Sequence, residues 1–194
     1  HISQVSCARS VEKIREAKAR GLRVTAAVSA HHLHLSEQDI GEFDTRYHVM
    51  PPLRSLADRD ALRQGVISGV IDAVCSDHQP HELDAKLAPF SESAAGISGL
   101  ETLLSLVLKL VDETALSLPE AVARVTTHPA QILGIEVGRL LPGAPADICV
   151  FDTGANRQVD AGQFISQGSN TPFDKSALPG NVRSVVVAGQ SISA

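Results

Sequence analysis

The stretch Val70-Ile71-Asp72-Ala73-Val74-Cys75 constrains the fold more than any other part of the chain. It has the length of a strand, is nearly all apolar, and shows no alternation. A strand with one wet face alternates apolar and polar residues. A continuous apolar run instead suits a strand covered on both faces, as in a parallel sheet between helices. The upstream sequence fits the same plan. Ser10 is placed to N-cap a helix carrying Val11, Ile14 and Ala17 on one face, and Gly21 follows at its end. Leu22, Val24, Ala26, Val28 and Ala30 then fall at alternate positions, which predicts a strand. Tyr47 to Met50 reads as a short extended piece ended by Pro51-Pro52, and Asp58 to Gly65 as a helix with Arg59 and Arg63 outward. About four strands result (1–5, 23–30, 47–50 and 70–76), each followed by helical sequence. Such alternation implies an α/β fold with a parallel sheet, either a small open one or half of an eight-stranded barrel.

Residues 78–99 have no clear period and form a long loop, a feature that in compact domains is usually functional or mobile. Leu100, Leu103, Leu104, Val107, Leu108 and Val111 mark an amphipathic helix. Ser117-Leu118-Pro119-Glu120 is a capping box opening a helix through Val125, and Thr127-His128-Pro129 opens another that stops at Gly134. From Gly138 the character changes to strands at Ala146–Phe151 and Val182–Val187 with no convincing helix between them. The expected division is an α/β part over 1–137 and a small β unit over 138–194.

Composition removes several classes of function. The 43% hydrophobic content rules out a disordered chain. No apolar run approaches the roughly 18 residues that span a bilayer. With 17 Lys plus Arg against 22 Asp plus Glu, 3% aromatics and no basic stripe, nucleic acid is a poor partner. Cys7, Cys75 and Cys149 are odd in number and widely spaced, which suggests no disulfide framework, and Cys75 and Cys149 fit burial in apolar strands. No signal peptide is visible, so the expected compartment is the cytoplasm. The chain opens on His1 rather than Met, in sequence that already reads as structured, which is expected of part of a longer protein.

Sites in parallel α/β folds lie at the carboxyl ends of the strands. Six of the eight histidines fall at or beside those ends: His1, His31-His32, His48, and the Ser76-Asp77-His78-Gln79-Pro80-His81 loop. An isolated histidine is more often structural than ligating, but this trend on every strand points to a metal or hydrolytic site. Zinc takes imidazole nitrogen and carboxylate oxygen, keeps a position for water, and lowers that water's pKa towards 7. A carboxylate ending a buried strand, as Asp77 does, is suited to taking a proton from the nucleophile and returning it to a leaving nitrogen. His78 and His81 could donate to a substrate oxygen. A serine triad is the competing idea, but no G-x-S-x-G elbow and no phosphate-binding glycine loop is present.

Val49-Met50-Pro51-Pro52-Leu53-Arg54-Ser55, Ser76-Asp77-His78-Gln79-Pro80-His81 and Gly96-Ile97-Ser98-Gly99-Leu100-Glu101-Thr102 resemble signatures of bacterial dihydroorotases. Gly143-Ala144-Pro145-Ala146-Asp147-Ile148 and Asn170-Thr171-Pro172-Phe173 are similar to that family's tail. The resemblance implies the second half of an amidohydrolase (β/α)₈ TIM barrel, followed by a small β-sandwich segment. It implies reversible interconversion of dihydroorotate and N-carbamoyl-L-aspartate in pyrimidine biosynthesis, with zinc, one or two ions, as cofactor. Carried over residue by residue, His1, His31 and Asp77 match metal ligands, and Asp77 also the general acid/base. His81 and the backbone of Ala95 and Gly96 match substrate contacts.

Two departures stand out. Met50 occupies a substrate-contact position where the family often has Asn, and Ala27 stands where a Glu is usual. The family's first-strand His-x-His-x-Arg and its bridging ligand have no match here and would lie upstream of His1. The chain alone is therefore expected to be inactive, its partners being the small-molecule substrate, the missing barrel half, further copies of itself, and an aspartate carbamoyltransferase. The alternative is a catalytically silent dihydroorotase-like subunit that stabilises a carbamoyltransferase complex. A sister enzyme acting on hydantoin or allantoin ranks third.

Overall fold

The computed structural model describes residues 1–192. Helix α1 spans Ala8–Ala19 and buries Val11 and Ile14. The chain then turns at Gly21, whose φ of +76° is a conformation that glycine adopts without strain. Strand β1, Ala27–Ser29, is buried throughout. Ile2 bridges Ala26 in parallel, with Ile2 N–H donating to Thr25 O and Ala27 N–H to Ile2 O, each at 2.9 Å. The amino-terminal segment therefore lies beside β1. Helix α2, Leu56–Ile67, is capped by Ser55, whose hydroxyl accepts from Asp58 N–H at 3.2 Å. Strand β2, Ala73–Cys75, pairs in parallel with β1 in the register Ala27 to Ala73 and Ser29 to Cys75. The parallel array thus runs from the amino-terminal segment through β1 to β2, crossed over by helices, and the apolar run first singled out becomes its last strand.

Three expectations change here. Residues 47–50 are not a strand: Thr45–Tyr47 is a 3₁₀ turn capped by Asp44, and β1 pairs directly with β2. The two prolines that follow carry no N–H for a ladder, so this piece belongs to the crossover. Arg63 does not point outward. Its guanidinium donates to Leu33 O at 2.6 Å and to Glu113 at 2.7 Å, tying α2 to the turn after β1 and to the next helix. Cys149 is exposed, because this part of β3 has no buried face, and all three cysteines are free.

The amphipathic run forms α3, Leu103–Glu113, burying Leu106, Val107, Leu108 and Leu110. Helix α4, Leu118–Ala123, opens on the expected capping box. Helix α5, Thr127–Leu133, ends at left-handed Gly134. The carboxyl-terminal unit is one antiparallel sheet of β3, Ile148–Gln158, β4, Ala177–Val187, and β5, Gln190–Ile192. A second layer that would make it a sandwich is not among the described residues. Strand β4 packs on α3 at Gly180, where an added Cβ would collide with the Leu108 side chain. Leu178, Val159 and Phe173 thereby join the core of the α/β part. None of the helices among the described residues is long and apolar enough to cross a membrane.

Candidate functional site

The carboxyl ends of the parallel strands converge on Asp77. Its backbone, just past β2, has a φ of +48°, and its carboxylate is 7% exposed. The turn after β1, Ala30–Leu33, buries both His31 and His32. His32 is spoken for, its Nδ1 meeting Ser29 Oγ at 2.8 Å and its Nε2 meeting Pro52 O at 3.3 Å. His31 differs: its Nε2 is buried with no hydrogen-bond partner and lies 3.9 Å from Asp77 Oδ2. Burial, reinforced by the neighbouring His32, pushes the His31 pKa well below the usual imidazole value, so this ring is neutral.

The other oxygen of Asp77 is already engaged. Gln4, at the end of the amino-terminal segment, donates its amide Nε2 to Asp77 Oδ1, and Gln79 Nε2 approaches the same oxygen at 3.3 Å. His1 stands three residues earlier, at the opposite end of that segment, exposed and bonded through Nδ1 to Thr25 Oγ1 at 2.8 Å. Of the three expected metal ligands the fold brings His31 and Asp77 together and leaves His1 out. Among the described residues no three His, Cys, Asp or Glu side chains gather to hold an ion. The residues present offer zinc only the pair of His31 Nε2 and Asp77 Oδ2, short of the three protein ligands of a catalytic zinc site, because amide N–H groups occupy Asp77 Oδ1.

The expected substrate contacts bond chiefly to the protein itself. His81 Nε2 meets Ala95 O at 3.0 Å, and its backbone N–H donates to Asn170 Oδ1 at 2.6 Å. Gly96 donates its N–H to His48 O at 2.8 Å and accepts at its carbonyl from Lys86 Nζ at 3.0 Å and Asn170 Nδ2 at 2.9 Å. A Cβ at Gly96 would lie 2.5 Å from Gln79 Cβ, so no other residue fits against that turn. Gly96 backbone groups are thus spent on holding the loop. His78 is likewise absorbed: its Nδ1 accepts from Gly99 and Leu100 N–H at 3.1 and 3.3 Å. Met50 is 60% exposed and stands at a cis bond to Pro51. Cys75 is no nucleophile, since burial pushes its thiol up to about 11.

Four residues that organise this region escaped the sequence reading. Gln4 and Gln79 are amides, and a search for titratable residues passes them by, although Gln4 ends a predicted strand and Gln79 lies inside the Asp-His-x-Pro-His loop. Asn170, buried at 4% exposure, reaches in from the carboxyl-terminal unit and fills all four of its side-chain bonds. Lys86 bonds three carbonyls, of Thr45, Ala94 and Gly96, and burial lowers its pKa to about 8. Nothing in a lone lysine within a Pro-rich loop signals that role.

A parallel array with its polar residues gathered beyond the carboxyl ends defines an α/β protein of the class to which barrel hydrolases belong. The match to the amidohydrolase family model over residues 11–192 makes the assignment specific: this chain belongs to the amidohydrolase family. It is 46% identical over 190 residues to a dihydroorotase-like protein of Pseudomonas aeruginosa, covering 97% of this chain and 44% of that protein. It is 45% identical over 192 residues to a dihydroorotase of Syntrophus aciditrophicus, covering 99% of this chain and 45% of that protein. Among solved structures, an L-hydantoinase (dihydropyrimidinase) from Arthrobacter aurescens superposes with a TM-score of 0.91 at 29% identity, over 98% of this chain and 44% of that one. The chain therefore spans less than half the length of the relatives it matches.

Proposed function

We propose that this chain is the carboxyl-terminal part of a dihydroorotase-like protein whose share of the strand-end site does not support metal-driven ring opening. Its parallel strands are consecutive members of the second half of a (β/α)₈ barrel. The exposed edge at Ile2, and the groove of about 350 Å³ beside it lined by Ile2, Cys7, Ile14 and Val24, receive the preceding strand and helix. The observation that carries the reading is Asp77, whose Oδ1 accepts from Gln4 while His1 bonds Thr25 at the far end of the segment. Such a subunit serves by shape, as a stabilising component of an aspartate carbamoyltransferase assembly.

The second reading is an active, zinc-dependent dihydroorotase that interconverts dihydroorotate and N-carbamoyl-L-aspartate. The unpartnered Nε2 of His31, facing Asp77 Oδ2, favours it. The deciding experiment assays the full-length protein with dihydroorotate and added zinc, beside Asp77→Ala. The expected outcome is no turnover above background in either. Turnover in the wild type that Asp77→Ala abolishes would replace the first reading with the second.

A further inference from the structure

Gln4 and Asp77 are both non-glycine residues in the left-handed region, with φ of +54° and +48°. Such residues persist only where their surroundings hold them. They end the two strands that flank β1, and the two side chains meet across it. An amide nitrogen has its lone pair delocalised into the carbonyl and is not a metal ligand. Its N–H groups carry partial positive charge and point where a cation would sit. The geometry points to Gln4 as a specificity-determining residue that excludes a divalent cation from Asp77, its amide taking the cation's electrostatic place.

Several features agree with this assignment. A carboxylate that is 7% exposed has to be satisfied, and Gln4 with Gln79 supplies two donors to one oxygen without any ion. The other oxygen faces His31, whose free nitrogen is a competent ligand atom but makes only a pair with Asp77. A third ligand, an imidazole or a thiolate, is what zinc lacks here. Residue 4 is the position from which it would come, because its side chain already reaches the carboxylate. The inference rests on the proposed loss of metal-driven turnover, yet the two can fail separately, since one concerns ion occupancy at Asp77 and the other concerns catalysis.

The test is zinc content of the full-length protein after equilibrium dialysis against zinc, in wild type, Asp77→Asn, Gln4→His, and Gln4→His with Asp77→Asn. Wild type and Asp77→Asn are expected to hold equal zinc. Gln4→His is expected to gain about one ion per chain, lost again in the double variant, with cobalt giving a visible ligand-field band only in Gln4→His. Should the imidazole disturb packing, as judged by circular dichroism, Gln4→Cys brings a smaller zinc ligand to the same point. The inference is overturned if wild-type zinc falls on Asp77→Asn, or if a folded Gln4→His or Gln4→Cys gains none. Turnover by a wild type whose zinc does not depend on Asp77 would sink the functional reading and leave this one standing.

Discussion

The two parts of the chain make their strands in opposite ways. In the α/β part β1 and β2 pair over only three residues each, and β1 is buried at every position. In the carboxyl-terminal unit β3 and β4 run for 11 residues each, and most of β3 is exposed or half-exposed. Short strands cannot be stable through their own ladder. They stay in place because their side chains are buried in the core, so their stability lies in packing and their ends are free to carry polar side chains. The long β3–β4 pair is held by its ladder and bends at register shifts between Val150 and Phe151 and between Asp152 and Asn156. Only its inner end, at Leu178 to Gly180, is buried against the rest. Chemistry therefore gathers on the part that depends most on packing.

Core truncation should expose the contrast most strongly. Leu110→Ala, at 1% exposure on α3, is expected to cost about 2–5 kcal/mol. Val150→Ala, 49% exposed on β3, should stay within about 0.5 kcal/mol. Urea titration of both variants measures the difference, and equal losses would break the comparison.

Mild acid, between pH 7 and 5, should act first on the part that carries the histidines. All eight histidines lie before residue 138, and the buried His31, His32 and His34 have pKa values lowered from 6.5, chiefly by burial. For His34 the folded value is about 4. Because the folded pKa is depressed, the unfolded chain binds the proton first. Stability is fully present above about pH 6.5 and is lost as pH falls towards 4. For His34 alone the loss is on the order of 3 kcal/mol, at about 1.4 kcal/mol per tenfold change in proton affinity. Amide exchange at pH 7 and pH 5 should show faster opening of the turn after β1, with the β3–β4 ladder following only as far as it depends on that core. Equal protection at both pH values would refute this.

The smallest effect sharpens the comparison at its seam. Asn170→Ala removes the carboxyl-terminal unit's hold on the 78–99 loop, leaving His81 N–H without its partner, at a cost of about 1–3 kcal/mol. Exchange should accelerate at residues 79–98 and remain unchanged in β3. Faster exchange in both would mean that Asn170 supports the whole fold rather than the loop.

The helices were legible where side-chain period and caps coincided. Ser117 with Glu120 marked α4, and the leucine and valine spacing marked α3, each to within a few residues. The buried strand at 73–75 showed itself because burial on both faces leaves a continuous apolar run. Tyr47 to Met50 misled because an extended piece before proline resembles a strand until its hydrogen-bond partners are known. The placement of His1 was not legible either, since the end of the segment on which a side chain falls follows from where pairing begins, at Ile2 with Ala26. Gln4 was silent because an amide acquires meaning only from what it touches.

The sequence by itself determined the α/β character and the family, because periodicity, caps and motifs are local along the chain. Only the tertiary structure decided which groups Asp77 meets. The Gln4 contact joins residues 73 apart, and it exists because β1 slots between the two strands that carry them. Contacts of that kind depend on register and on strand order, which local sequence does not encode.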